Sequence, residues 1–134
     1  MKKTLLAILL VCACIFCVSC GTSPKDAISK ANEAMDTLSG SKELNSMACY
    51  GEGEYDETND RIYYYVYMMC PRGIDGIFAE AIMFDLFHEA KEVVRNELKP
   101  IFSQVDGYPD NVNLKMTAYT SDGYQYTTAS GWGD

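Results

Sequence analysis

The stretch from Cys49 to Cys70 constrains the fold more than any other part of the chain. It reads as one β-hairpin, in which MACYGEGEYDE and RIYYYVYMMC meet across Thr58-Asn59-Asp60, residues suited to a tight turn. With Asn59-Asp60 as the loop, Cys49 falls directly opposite Cys70. The same register puts Ile62, Tyr64, Val66, Met68 and Cys70 on one face, opposite Glu57, Tyr55, Gly53, Gly51 and Cys49. Tyr63, Tyr65, Tyr67 and Met69 take the other face, opposite Asp56, Glu54, Glu52 and Tyr50. A one-residue slip would set the apolar column against the acidic one, so burial selects the first arrangement. The pairing predicts a Cys49–Cys70 disulfide, worth roughly 3 kcal/mol in the chain-entropy account of such a loop.

A chain of 134 residues has room for one domain. Its beginning stands apart: Lys2 and Lys3 lead into an apolar run from Leu5 to Val18, too short for the roughly 20 residues of a spanning helix and suited to a cleaved secretory signal. Val18-Ser19-Cys20-Gly21 resembles the lipobox of bacterial lipoproteins, with Cys17 where that family usually has an aliphatic residue. The resemblance implies cleavage after Ser19, lipid on Cys20, and a small envelope lipoprotein held to the membrane through its N-terminal lipid. The expected organisation is a signal over 1–19, lipid attachment and a short tether over 20–23, and a single domain over 24–134.

Loss of Lys2 and Lys3 with the signal lowers the basic count from 11 to 9 against 19 acidic residues, so the net charge moves from −8 to −10. Such a surface disfavours nucleic acid and anionic lipid as ligands. Cys12, Cys14 and Cys17 leave with the signal. With Cys20 lipidated, Cys49 and Cys70 are the remaining thiols in a compartment where disulfides persist.

Ser23-Pro24-Lys25-Asp26 reads as a helix start, with Ser as N-cap and Pro at the first helical position. Ala27, Ile28, Ala31, Ala34, Met35 and Leu38 form the apolar stripe, and Ser39-Gly40-Ser41 ends the helix. After the first hairpin, Pro71-Arg72-Gly73 breaks the strand. A longer helical stripe then runs through Met83, Leu86, Phe87, Ala90, Val94, Leu98 and Ile101, with Asp85, Glu89, Glu92, Arg95 and Asn96 opposite. Ile74, Phe78 and Ile82 fall off that stripe, which predicts a bend or separate turn before about Met83 and a disturbance at Pro100. A second hairpin turns at Asp122-Gly123. It puts Val112, Leu114, Met116 and Ala118 on one face with Thr127, Ala129 and Gly131, and Lys115, Thr117 and Tyr119 on the other with Tyr124, Tyr126, Thr128 and Trp132. The order α-ββ-α-ββ implies an α+β fold: a four-stranded, mostly antiparallel sheet with helices packed on one face. Strand order is left open.

No catalytic constellation stands out, and no enzyme activity is expected. His88, the single histidine, sits among Asp85, Glu89 and Glu92 on the polar side of the long helix, with no nucleophile motif to serve. The acidic turn from Asp56 to Asp60 lacks the alternating ligands and central glycine of a calcium loop, Gly51 and Gly53 sit in a strand and make no phosphate cradle, and neither a metal nor a cofactor is expected. The remaining signal is aromatic. Tyr63, Tyr65, Tyr67, Tyr119, Tyr124 and Tyr126, together with Tyr50, are directed away from the helices. Cross-strand packing is the plain explanation. The functional one is a binding face for a protein or glycan partner; flanked by Glu52, Glu54 and Asp56, it would suit a basic or sugar-like one. The sequence therefore points to a lipid-anchored, non-catalytic binding protein of the bacterial envelope, with a structural accessory subunit of an envelope complex as the alternative.

Overall fold

The computed structural model describes residues 21–74 and 78–133; the signal expected over 1–19 and the expected lipid site at Cys20 lie outside them. The chain forms helix α1 (Pro24–Leu38), strands β1 (Ala48–Asp56) and β2 (Arg61–Met69), helix α2 (Ala79–Phe102), and strands β3 (Val112–Tyr119) and β4 (Gln125–Ser130). The fold is α+β: a four-stranded sheet in the order β1-β2-β3-β4 with both helices on one face. The two hairpins are antiparallel and the central β2–β3 pair is parallel. One helix connects β2 to β3. At 24 residues α2 is about 36 Å long, enough to carry the chain back along a strand of roughly 30 Å, so β3 sets out from the same end as β2.

Helix α1 starts as its sequence dictates. The Ser23 side chain accepts a hydrogen bond from the Asp26 N–H at 3.2 Å, and Pro24 opens the first turn. Ala27, Ala31, Met35 and Leu38 are buried beneath it. Helix α2 is one continuous element. It begins at Ala79 and runs unbroken through Met83 and Pro100 to Phe102, so no bend sets off Ile82 from the rest of the helix. Pro100 sits in the last turn, and its missing N–H leaves the Asn96 carbonyl without its helical partner. The buried stripe of Met83, Phe87, Ala90, Val94, Leu98 and Phe102 follows helical spacing, while Phe78, Ile82 and Phe84 are exposed.

The first hairpin keeps its expected faces in a different register. Cys49 stands opposite Met68, not Cys70, and Asp56 pairs with Arg61 across a four-residue loop. Asp56 closes that loop by accepting hydrogen bonds from the Thr58 and Asn59 N–H groups at 3.0 and 3.3 Å, and Asp60 takes a left-handed conformation with φ 50°. Side-chain size favours this register. Tyr64, fully buried, faces Gly53 and reaches under α1 to donate its hydroxyl to Asn32 Oδ1 at 3.0 Å. Its ring occupies the space that side chains at 51 and 53 would fill: a Cβ on Gly51 would lie 2.7 Å from Tyr64 Cζ, and one on Gly53 would lie 2.9 Å from Tyr64 Cδ2 and 2.8 Å from Ile28 Cγ2.

The second hairpin turns at Asp122-Gly123 as expected, but its ladder is irregular between Ala118 and Tyr119. Ala118 pairs with Thr127 and Tyr119 with Gln125, so Tyr126 is skipped. One extra residue reverses the side on which a side chain emerges. Tyr126 therefore turns to the helices and donates its hydroxyl to the Glu80 carbonyl at 2.8 Å. Trp132 was also expected outward. After Gly131, at φ 83°, it tucks against Phe102 and Tyr108 with ring centroids at 5.7 and 5.2 Å, and its indole N–H donates to the Val112 carbonyl. Arg95, assigned to the polar side of its helix, is buried: it donates Nε–H to the Gly131 carbonyl at 3.1 Å and pairs with Glu92, holding this last segment down.

Adding a methyl group at Gly51 forces the Tyr64 ring to move. Gly51→Ala should cost roughly 1–3 kcal/mol in urea unfolding, as overpacked cores do. The cost should shrink in a Tyr64→Phe background, because the Tyr64 hydroxyl is the atom nearest the added Cβ. Equal costs in the two backgrounds would contradict this packing.

Candidate functional site

Opposite the helices, the sheet presents a face that no other described element covers. Along β2 it carries Tyr63, Tyr65, Tyr67 and Met69. Their partners on β1 are Glu54, Glu52, Tyr50 and Ala48, and on β3 Asn113, Lys115, Thr117 and Tyr119. The face is polarised along the strands: acidic side chains lie beside Tyr63 and Tyr65, and aromatic ones gather at the end where β2 finishes.

At that end Tyr50 stacks on Tyr67, with centroids 4.9 Å apart and planes inclined by 26°, and Tyr67 approaches Tyr119 at 6.3 Å. Such offset contacts are favourable aromatic geometries. Tyr67 anchors the row by donating its hydroxyl to Glu52 Oε1 at 3.0 Å. Desolvation, reinforced by that carboxylate, pushes its phenol up to about 12, so it remains a neutral donor at physiological pH. Beneath the row Thr117 is only 5% exposed although it is on the outward face, and its hydroxyl lies 3.4 Å from that of Thr128. The rings roof the sheet here while keeping surface of their own. Tyr50 is 54% exposed and Met69 44%. A cleft of about 590 Å³ runs alongside, lined by Tyr50, Glu52, Tyr67, Met69, Tyr119 and Gly123 among others.

Of the six tyrosines expected to form a binding face, the structure brings Tyr67 and Tyr119 together. Tyr63 and Tyr65 share the face further along β2, half-buried, and Tyr124 stands 73% exposed in the β3–β4 loop. Tyr126 does not belong to the face, for the reason given by the bulge. Tyr50 and Met69 complete the cluster. The sequence had placed both on this face, but their meeting with Tyr67 and Tyr119 depended on the register and on β2 lying beside β3.

The other residues weighed for chemistry are used locally. Asp56 spends its carboxylate on the turn: a side-chain hydrogen bond from Asn59 comes first in holding it below the usual carboxylate range, followed by the turn N–H groups. His88 is exposed and stacks on Phe84 at 6.3 Å. Cys49 and Cys70 are thiols in this structure, both buried on the helix face. Burial, then the charge of Asp36, pushes Cys49 up to about 11, and its Sγ–H donates to the Met35 carbonyl at 3.2 Å. Burial also raises Cys70. In the observed register the two cysteines are diagonal neighbours, a separation of about 7–8 Å between Cα atoms, at or beyond the limit for a disulfide.

Comparison of the chain with protein-family models, with curated proteins and with solved structures returned no match. The functional reading therefore rests on the site itself.

The sequence expectation of a bridge and the thiols seen here give opposite results in one measurement. The structure predicts that unreduced protein reacts slowly with a thiol reagent while folded and that both Cys49 and Cys70 label once it is denatured. If neither labels after denaturation, the pair is oxidised and this register does not describe the protein.

Proposed function

We propose that the protein is a lipoprotein of the bacterial cell envelope, anchored through Cys20, that acts without catalysis by holding a protein partner on its aromatic sheet face. The observation that carries this reading is the Tyr50–Tyr67–Tyr119 row, flanked by exposed Met69 on a sheet face that no other described element covers. Tyr and Met are enriched in protein interfaces, and Tyr offers large contact area for little lost freedom. A mostly antiparallel sheet can keep one face toward water, so this face is open to a partner without any rearrangement of the fold. A glycan is the other chemistry that stacked tyrosines accept; the open face beside Met69 favours a protein.

The start of the domain supports the anchored geometry. The Thr22 N–H donates to the Gln104 carbonyl at 2.9 Å, and Lys25 in the first turn of α1 pairs with Glu57 in the β1–β2 loop. The chain is thus tied to the fold two residues after Cys20, at the end of the sheet where β1 finishes. Tyr50 lies six residues back along that strand, roughly 20 Å away. A lipid on Cys20 would leave the aromatic end directed away from the bilayer and open to a partner.

Two measurements test the reading. Cys20→Ala should move the protein from the membrane fraction to the soluble fraction; equal partitioning of the two forms rejects the anchor. Tyr67→Ala and Tyr119→Ala should each weaken capture of the partner that co-purifies with the membrane-extracted protein by more than about 1 kcal/mol, with a nearly unchanged Tm. Tyr126→Ala, which removes an inward contact to α2, should lower Tm and leave capture intact. Capture that survives both outward substitutions, or a partner released by glycan-degrading enzymes alone, overturns the proposed protein-binding face.

A further inference from the structure

The geometry points to β1 as a docking edge for a basic extended segment of the partner, which would add to the sheet as a fifth strand next to the tyrosine face. The inference rests on the proposed partner-binding role and specifies what that partner carries.

Three observations converge on β1. The first is where its backbone groups point. The N–H groups of Ile62 and Cys70 donate toward β3, to the carbonyls of Asn111 and Tyr119. By alternation, Tyr63, Tyr65, Tyr67 and Met69 bond toward β1, where their partners are Glu54, Glu52, Tyr50 and Ala48. The intervening residues of β1 must therefore face outward from the sheet. Cys49 confirms the phase, since its N–H is bonded by Ser39 Oγ at 2.9 Å, and the Met47 carbonyl is bonded by the Gly40 N–H. The edge is thus capped at 47 and 49. At Gly51, Gly53 and Tyr55 no backbone hydrogen-bond partner occurs among the described residues.

The second observation is the contrast between the two edges. β4 has six residues and an irregular ladder, both devices that discourage added strands. β1 has nine residues in unbroken register with β2, with no proline and no lysine. Beyond the caps at 47 and 49, its protection is electrostatic. The third observation is that charge. Glu52 and Glu54 are exposed on the tyrosine side of β1, opposite Tyr65 and Tyr63, and neither is in an ion pair among the described residues. A second copy of β1 laid antiparallel would bring these carboxylates close to their own kind, which is destabilising. A strand with Lys or Arg at alternate positions would oppose them with the matching sign, and its next same-face residue would meet the half-exposed ring of Tyr50. This is strand addition, in which the main chain supplies affinity and alternate side chains supply specificity.

The test uses the full-length protein extracted in detergent and two synthetic peptides: one alternating Lys and Thr and ending in Tyr, the other with Glu in place of Lys. The Lys peptide should bind, weaken with added salt, and slow amide exchange at Gly51, Gly53 and Tyr55 while leaving β4 unaffected. Glu52→Lys with Glu54→Lys, both at exposed positions, should lower its affinity by roughly tenfold and give the Glu peptide measurable binding, as expected when two cross-strand pairs change sign. The inference is overturned if the Lys peptide does not bind, if both peptides bind alike, if binding leaves the three amides unprotected, or if they become protected with protein concentration alone, which would mean pairing with a second copy. Capture of the native partner that is lost in Tyr67→Ala but untouched by the double charge reversal removes the edge and keeps the face; the reverse pattern keeps the edge and removes the face.

Discussion

Tyr64 holds the two layers of this fold in register. Its ring lies between β1 and α1 in the space left by two glycines, its hydroxyl reaches Asn32, and its flank meets Phe102 at a centroid distance of 5.1 Å. One side chain thus touches β1, α1 and α2. Burial without a partner would make the hydroxyl costly, and the Asn32 acceptor removes that cost. Because Gly51 and Gly53 yield their inner face to this ring, helix α1 can lie close over an edge strand. That placement leaves the backbone of β1 covered from above by α1 and open at the side.

The second constraint is the single helical return between the hairpins. It makes β2 and β3 parallel and adjacent, and so brings Tyr67 of one hairpin within reach of Tyr119 of the other. The two helices exhaust their apolar stripes on one face of the sheet, and the opposite face is left to its own side chains. There the tyrosines lean on one another over Thr117, a compromise between sealing the sheet and remaining available. The packing account and the binding account of these rings are compatible: rings held by their neighbours lose little further freedom on contact.

Charge then divides the surface. The acidic side chains of β1 stand beside the tyrosines, on a chain whose overall balance is strongly negative. Such a surface attracts basic groups and disfavours close approach of a second copy of the chain. The last segment has a different task. Trp132 and Arg95 fasten it to β3 and α2, which closes the apolar layer below Phe102.

Alternation and helical spacing in the sequence were sufficient to identify both helices, both hairpins, the α+β class and the inner faces of β1, β2 and β3. Those features arise from local preference and from the need to bury one face. A two-residue period cannot distinguish registers that differ by two, and so the displacement of Cys49 from Cys70 to Met68 was invisible to it. Bulk was the missing signal, since Tyr64 fits opposite Gly53 and crowds Tyr55. Tyr126 changed sides because a bulge adds one residue, which alternation cannot register. Arg95 reads as a surface charge until the chain after β4 folds back over it. The meeting of Tyr50, Tyr67, Met69 and Tyr119 needed strand order as well as register, and strand order was decided by the length and return path of α2. Local chemistry settled which side chains face inward, and long-range packing decided which of them meet.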